Sequence, residues 1–151
     1  MAKVTFQTPL GKIIATADEI GVCSLDFDDS VLEYDESNAH LEQLVKELQA
    51  YFEGELHTFS VALNPMGTPF QKRTWAVLET IPYGTTVSYT EEAMALNHPK
   101  AVRAVANANG KNPIPIIIPC HRVIAKDGSI GGYSGGLWRK EFMLDLEKKN
   151  R

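Results

Sequence analysis

The chain has 151 residues, 44% of them hydrophobic, so it can bury a core and divide into one domain or two small ones. No apolar run approaches the ~20 residues that span a bilayer, and Met1-Ala2-Lys3 leads into alternating sequence rather than a signal peptide's apolar centre, so a cytoplasmic protein is expected. The net charge of −4 argues against nucleic acid only until it is divided: residues 1–67 carry three Lys against twelve Asp and Glu (−9), residues 68–151 twelve Lys and Arg against seven acids (+5).

The first third predicts an antiparallel meander. Lys3–Gln7 and Lys12–Ala17 flank the turn Thr8-Pro9-Leu10-Gly11, and Gly21–Phe27 follows the turn at Asp18–Gly21. Alternation in the third strand puts Cys23 with Leu25 and Phe27 on the apolar side, where it reads as a small buried hydrophobe. After an acidic connection, Asp28 to Glu36, a helix capped by Ser37 or Asn38 carries Leu41, Leu44, Val45, Leu48 and Phe52 at helical spacing until Gly54. A further strand is expected over Thr58–Leu63. The Pro/Gly segment Asn64-Pro65-Met66-Gly67 reads as a domain boundary.

Thr68-Pro69-Phe70-Gln71 then supplies a cap, a first-turn proline and a Gln three residues past the cap, which predicts a helix with Phe70, Thr74, Val77, Leu78 and Ile81 on one stripe. Pro82-Tyr83-Gly84 ends it. Ser88-Tyr89-Thr90-Glu91 is a second capping box, opening a short helix to about Leu96. Asn97, tolerant of left-handed backbone, makes the turn, and Pro99 restarts a helix through Lys100–Ala108, completing a helix-turn-helix. That second helix is nearly all alanine and valine, with Lys100 and Arg103 as its only charges. It lacks the long polar side chains that read the major groove, and fits a minor-groove contact with one inserted side chain better.

Ile114–Ile118 reads as a strand delivering Cys120, a lone strong nucleophile beside His121. A thiol attacking an alkyl carbon needs a base, and the base needs a partner to fix its tautomer. On a strand, neighbours point to opposite faces, so Cys120 and His121 cooperate only if the backbone bends there or a water carries the proton. Spacing alone leaves Asp127, Asp145 and Glu147 open as the carboxylate. Gly131, Gly132, Gly135 and Gly136 form a loop that lacks the order of a phosphate-binding loop. A last helix, from Leu137 to about Lys148, shows Trp138, Phe142 and Leu146 along one side.

Ile118-Pro119-Cys120-His121-Arg122-Val123 resembles the signature of the O6-alkylguanine-DNA alkyltransferases, and the stretch from about Thr68 to Glu147 is similar to that family almost without gaps. The resemblance implies an α+β protein. Residues 1–67 would be a ribonuclease H-like domain with a small antiparallel sheet and a helix. Residues 68–151 would be a mainly helical, winged-helix-like domain that binds DNA and transfers the alkyl group. The implied activity is irreversible, single-turnover transfer of an alkyl group from O6-alkylguanine, less efficiently from O4-alkylthymine, to the protein's own cysteine after the nucleotide is flipped out. The implied partner is double-stranded DNA, met in the minor groove by a monomer without a cofactor.

By the same resemblance Cys120 is the acceptor, His121 its water-bridged base, Glu147 the carboxylate orienting His121, and Asn112 the hinge between the recognition helix and the active-site segment. Tyr89 and Val123 would contact the guanine with Tyr133 and Ser134 closing over O6. Arg103 would fill the gap in the base stack, with Lys100, Ala104, Tyr89 and Arg122 also meeting DNA. Glu92 stands where relatives carry an apolar residue, and its charge is expected near the DNA face. The single cysteine of the first half, Cys23, gives no four-ligand cluster, so no structural zinc is expected. Alkyltransferase-like proteins carry tryptophan at the position of Cys120. A helix-turn-helix transcription factor would need major-groove side chains, and a thiol hydrolase would turn over repeatedly.

Overall fold

Alternating buried and half-exposed side chains over Gly11–Ala17 (β2), with Ile13, Ala15 and Ala17 turned inward, make this strand the middle of a sheet. The computed structural model describes residues 1–151 as two units, Met1–Met66 and Gly67–Arg151.

In the first unit β2 pairs antiparallel with Ala2–Thr8 (β1) and with Val22–Phe27 (β3), as the meander predicts. The acidic connection also contributes a two-residue strand, Asp35–Glu36 (β4), so the order is β3-β2-β1-β4. Cys23 lies buried as expected. The helix Ala39–Phe52 (α1) starts where Asn38 Oδ1 accepts from the Leu41 amide at 3.0 Å, and Gly54, at φ 78°, follows its end. Leu41, Leu44, Leu48 and Tyr51 face inward; Tyr51 takes the place predicted for Phe52.

The strand expected over Thr58–Leu63 does not form; only Val22 and Leu63 bridge. The reason lies on α1. The Glu47 carboxylate accepts from the Ser60 amide at 2.9 Å, the Ser60 hydroxyl at 2.8 Å and the Val61 amide at 3.1 Å, so these groups are taken up before a ladder can use them.

In the second unit Pro69–Leu78 (α2) carries the predicted capping box between Thr68 and Gln71. Its buried Trp75 donates from Nε1 to the Ala108 carbonyl at 2.9 Å. Val87–Ser88 (β5) leads into Tyr89–Ala95 (α3) through the second capping box, and Asn97 makes the turn at φ 60°. The next helix, Val102–Gly110 (α4), starts later than Pro99. A turn closed by Ala101 N donating to His98 O at 2.9 Å intervenes, leaving Lys100 before the helix. Val105, Ala108 and Asn109 are buried while Arg103, Ala104 and Asn107 are exposed, so α4 has one free face.

Val123–Ile124 (β6) pairs parallel with β5, and Leu137–Asn150 (α5) closes the unit. On α5 the apolar side that carries Trp138 and Phe142 is the outer one: Trp138 is 52% exposed and Phe142 37%. Lys140, Met143 and Glu147, spaced at three and four residues, point inward instead. A lysine and a glutamate occupy the inner face because each finds partners there.

Candidate active site

The isoleucine segment is a compact turn rather than a strand. Ile118 N donates to Ile114 O at 3.0 Å and Cys120 N to Ile118 O at 2.8 Å, while Ile116 sits at φ 77°. Left-handed backbone at a β-branched residue costs about 1–3 kcal/mol and persists because Ile114, Ile116 and Ile118 are fully buried. Cys120–Arg122 then form a single 3-10 turn. The bend supplies one of the two conditions set by the sequence, since neighbours on such a turn are not forced to opposite faces.

His121 and Arg122 both turn to the last helix. His121 Nε2 lies 2.5 Å from Glu147 Oε2. Arg122 donates from Nε to Glu147 Oε1 at 2.8 Å, from Nη2 to Oε2 at 3.2 Å and from Nη1 to Ile81 O at 2.7 Å. The Gly84 amide, at φ 74°, also donates to Oε1 at 3.2 Å. Burial pushes the Glu147 carboxyl up, but His121 and Arg122 prevail and hold it at about 2. Burial likewise depresses His121, with Glu147 pulling it back up. The imidazole is therefore neutral near pH 7 with its proton on Nε2 facing the carboxylate, and the buried Nδ1, which has no protein partner, is the lone pair available as a base.

Glu147 thus fills the carboxylate position, while Asp127 bonds to Ser129 and Asp145 is exposed. Arg122, expected at DNA, is a correction. It is 6% exposed and its guanidinium is committed to Glu147 and Ile81.

Cys120 is 8% exposed. Asn112 Nδ2 lies 3.3 Å from its sulfur and donates to Ile118 O at 2.7 Å, while Asn112 Oδ1 accepts from Ile114 N at 2.9 Å. One amide therefore fixes both the turn and the thiol. Burial lifts the thiol to about 11, with the Asn112 hydrogen bond and the Lys140 charge acting against it. No hydrogen bond joins the sulfur to the imidazole directly.

Lys140 was not singled out by the sequence reading. Its ammonium donates to Val123 O at 2.7 Å and Gly132 O at 3.0 Å, tying the glycine loop to β6, and burial lowers it to about 8 while Cys120 pulls it back up. The signal was its place one turn from Met143 and two from Glu147. The carbonyl of Val123, a residue expected to contact the guanine, already accepts this bond and keeps one lone pair. Tyr133 is raised well above 10, first by burial and then by Cys120, and its hydroxyl has no protein partner. Tyr89 is raised by burial against the Gly132 amide. A side chain at Gly131, φ 74°, would come within 3.2 Å of the Tyr89 hydroxyl. Ser134, Arg103, Ala104 and Lys100 are exposed. Glu92 is a second correction: expected at the DNA face, it is 1% exposed.

Two family models cover almost the whole chain: 6-O-methylguanine DNA methyltransferase, ribonuclease-like domain, over residues 1–65, and 6-O-methylguanine DNA methyltransferase, DNA binding domain, over residues 69–149. The chain belongs to the 6-O-methylguanine DNA methyltransferase family. It is 43% identical over 150 residues to a methylated-DNA--protein-cysteine methyltransferase of Methanosarcina barkeri, covering 95% of each chain. It is 41% identical over 154 residues to a constitutive one of Bacillus subtilis, covering 95% of this chain and 93% of that one. Among solved structures, Mycobacterium tuberculosis OGT in complex with DNA matches at TM-score 0.90 and 41% identity, over 99% of this chain and 94% of that one. An O6-methylguanine DNA methyltransferase from Methanococcus jannaschii matches at TM-score 0.73 and 28% identity, over 98% and 95%. The family's α+β organisation, a sheet domain followed by a helix-turn-helix unit, is the one described above.

Proposed function

We propose that this protein repairs DNA by moving the alkyl group of O6-alkylguanine, and less efficiently of O4-alkylthymine, irreversibly onto Cys120, once per molecule. The observation that carries the reading is the Asn112–Cys120–His121–Glu147 arrangement inside a chain of this family. His121 Nδ1 takes the thiol proton through a bridging water while Glu147 holds the opposite edge of the ring. The sulfur attacks the alkyl carbon, an S–C bond forms as the C–O6 bond breaks, and the guanine leaves with the electron pair and takes up a proton. The thioether stays on Cys120.

A buried sulfur cannot reach a base inside a duplex, so the nucleotide leaves the stack, at a few kcal/mol. The small exposed residues of α4 fit a minor groove, with Ala104 allowing close approach, Arg103 entering the stack and Lys100 meeting phosphate. Tyr89 and Tyr133, both near enough to feel a charge on Cys120, receive the base together with the Val123 carbonyl and Ser134. We read the protein as a cytoplasmic monomer without a cofactor; no helix is long and apolar enough to cross a membrane.

The test is stoichiometric. After incubation with duplex DNA containing O6-methylguanine, intact-mass analysis should show one added methyl group, mapped to Cys120. Cys120→Ser should bind DNA and gain none. Repeated turnover, or methylation elsewhere, would contradict the reading.

A further inference from the structure

Glu92 and Asn109 form a buried polar pair between two packed helices. Glu92, on α3, is 1% exposed and Asn109, on α4, 7%. Asn109 Nδ2 donates to Glu92 Oε1 at 2.7 Å, which leaves Glu92 Oε2 and Asn109 Oδ1 buried without a protein partner. Two acceptors cannot satisfy each other. A proton on Oε2 turns one of them into a donor, and the acid and amide can then close through both edges.

No charged group nearby favours the carboxylate. Its titratable neighbours are Tyr89, on its own helix, and Cys120, on the turn; both are made harder to ionise by a charge on Glu92. From α4 it meets the uncharged Asn109, and α2, β5 and β6, which also pack on or adjoin α3, bring no charge to bear on it. The buried cation of the site, Lys140, is committed to Val123 and Gly132. Burial lifts Glu92 to about 7 against the Asn109 hydrogen bond.

The pair is linked to the nucleophile by bonds as well as by field. The Asn112 amide donates to the Asn109 carbonyl at 3.2 Å, and the Asn112 side chain lies 3.3 Å from the Cys120 sulfur. We propose that Glu92 is a positioning residue: neutral and paired with Asn109, it holds the end of α4 that presents Asn112 to Cys120, and its ionisation suppresses the thiolate. This rests on Cys120 being the alkyl acceptor, and it ties the protein's reactivity to pH through a residue that never touches the base.

Glu92→Gln tests it, because glutamine keeps the geometry of the neutral acid and cannot ionise. The rate of Cys120 alkylation by iodoacetamide, read on the Cys120 peptide, and the rate of benzyl transfer from free O6-benzylguanine are followed from about pH 6 to about pH 8.5. The ratio of wild type to Glu92→Gln should fall about threefold to tenfold over that range, a one-unit rise in a thiol pKa being about tenfold in thiolate. A constant ratio, the mark of a purely structural role, would overturn the proposal. If the variant does not fold, carbon NMR of the Glu92 carboxyl in wild-type protein decides: a midpoint near 7 is expected, and an ordinary glutamate midpoint overturns it. Failure of benzyl transfer with the iodoacetamide ratio still falling would sink the alkyl-acceptor reading and uphold the Glu92 coupling.

Discussion

Arg122 grips Glu147 through both carboxylate oxygens, Nε to Oε1 at 2.8 Å and Nη2 to Oε2 at 3.2 Å, while His121 shares Oε2 from its own side. Two consecutive residues of one turn are thereby fastened to a single carboxylate on α5. The Ile81 carbonyl and the Tyr83 ring, 5.7 Å from the guanidinium, complete the surroundings of Arg122.

Removing Arg122 leaves a buried carboxylate short of its main cation. Arg122→Ala should destabilise the protein by about 3 kcal/mol in denaturant titration. The salt dependence of DNA affinity should stay unchanged among folded molecules, because no phosphate contact is lost. A shallower salt slope would restore Arg122 to the DNA face.

Glu147→Gln keeps the volume but no longer fixes the imidazole proton on Nε2. Single-turnover alkyl transfer should fall about tenfold to a hundredfold, with DNA affinity nearly unchanged. Equal losses in rate and binding would assign Glu147 a structural role alone.

Acid should unfold the protein through the same carboxylate. The folded value of about 2 lies below the 4.5 of an ordinary glutamate, so the stabilisation is complete above 4.5 and lost as pH falls through about 2. His121, depressed by burial, acts in the same direction, since the unfolded chain takes up its proton first. Stability by denaturant titration should drop by a few kcal/mol from about pH 5 to about pH 2, and Glu147→Gln should flatten that drop.

Arg103 projects from the free face of α4 and has no part in the cysteine turn. Arg103→Ala should weaken duplex binding by about 1–3 kcal/mol while sparing reaction with free O6-benzylguanine. Parallel losses would argue against a role in the stack.

The elements written in local chemistry were readable from the chain: both capping boxes, the Asn97 turn, the hairpin of β1 and β2, and the Asn38 cap. Each depends on residues within a few positions of one another. What was not readable depended on distant partners. Thr58–Leu63 has a strand's composition, but Glu47 takes its amides. Ile114–Ile118 has the most strand-like run in the protein, yet two prolines and a left-handed Ile116 fold it into a turn. Cys120 and His121 are evident as a pair, whereas spacing alone leaves three carboxylates open, and Glu147 is singled out by the resemblance and by its place on α5. Glu92 looked like a surface charge because nothing in its neighbourhood along the chain announces Asn109, seventeen residues on.

The inverted faces of α5 carry a warning for anyone engineering this protein. Substituting leucine at both Lys140 and Glu147 would complete an apolar seam, yet it would leave the buried Arg122 guanidinium without its carboxylate and the Val123 and Gly132 carbonyls without their donor, and breaking one side of a buried pair costs about 3–5 kcal/mol. A redesign led by hydrophobic pattern alone would therefore return fragile proteins in which the imidazole and the glycine loop had lost their anchors.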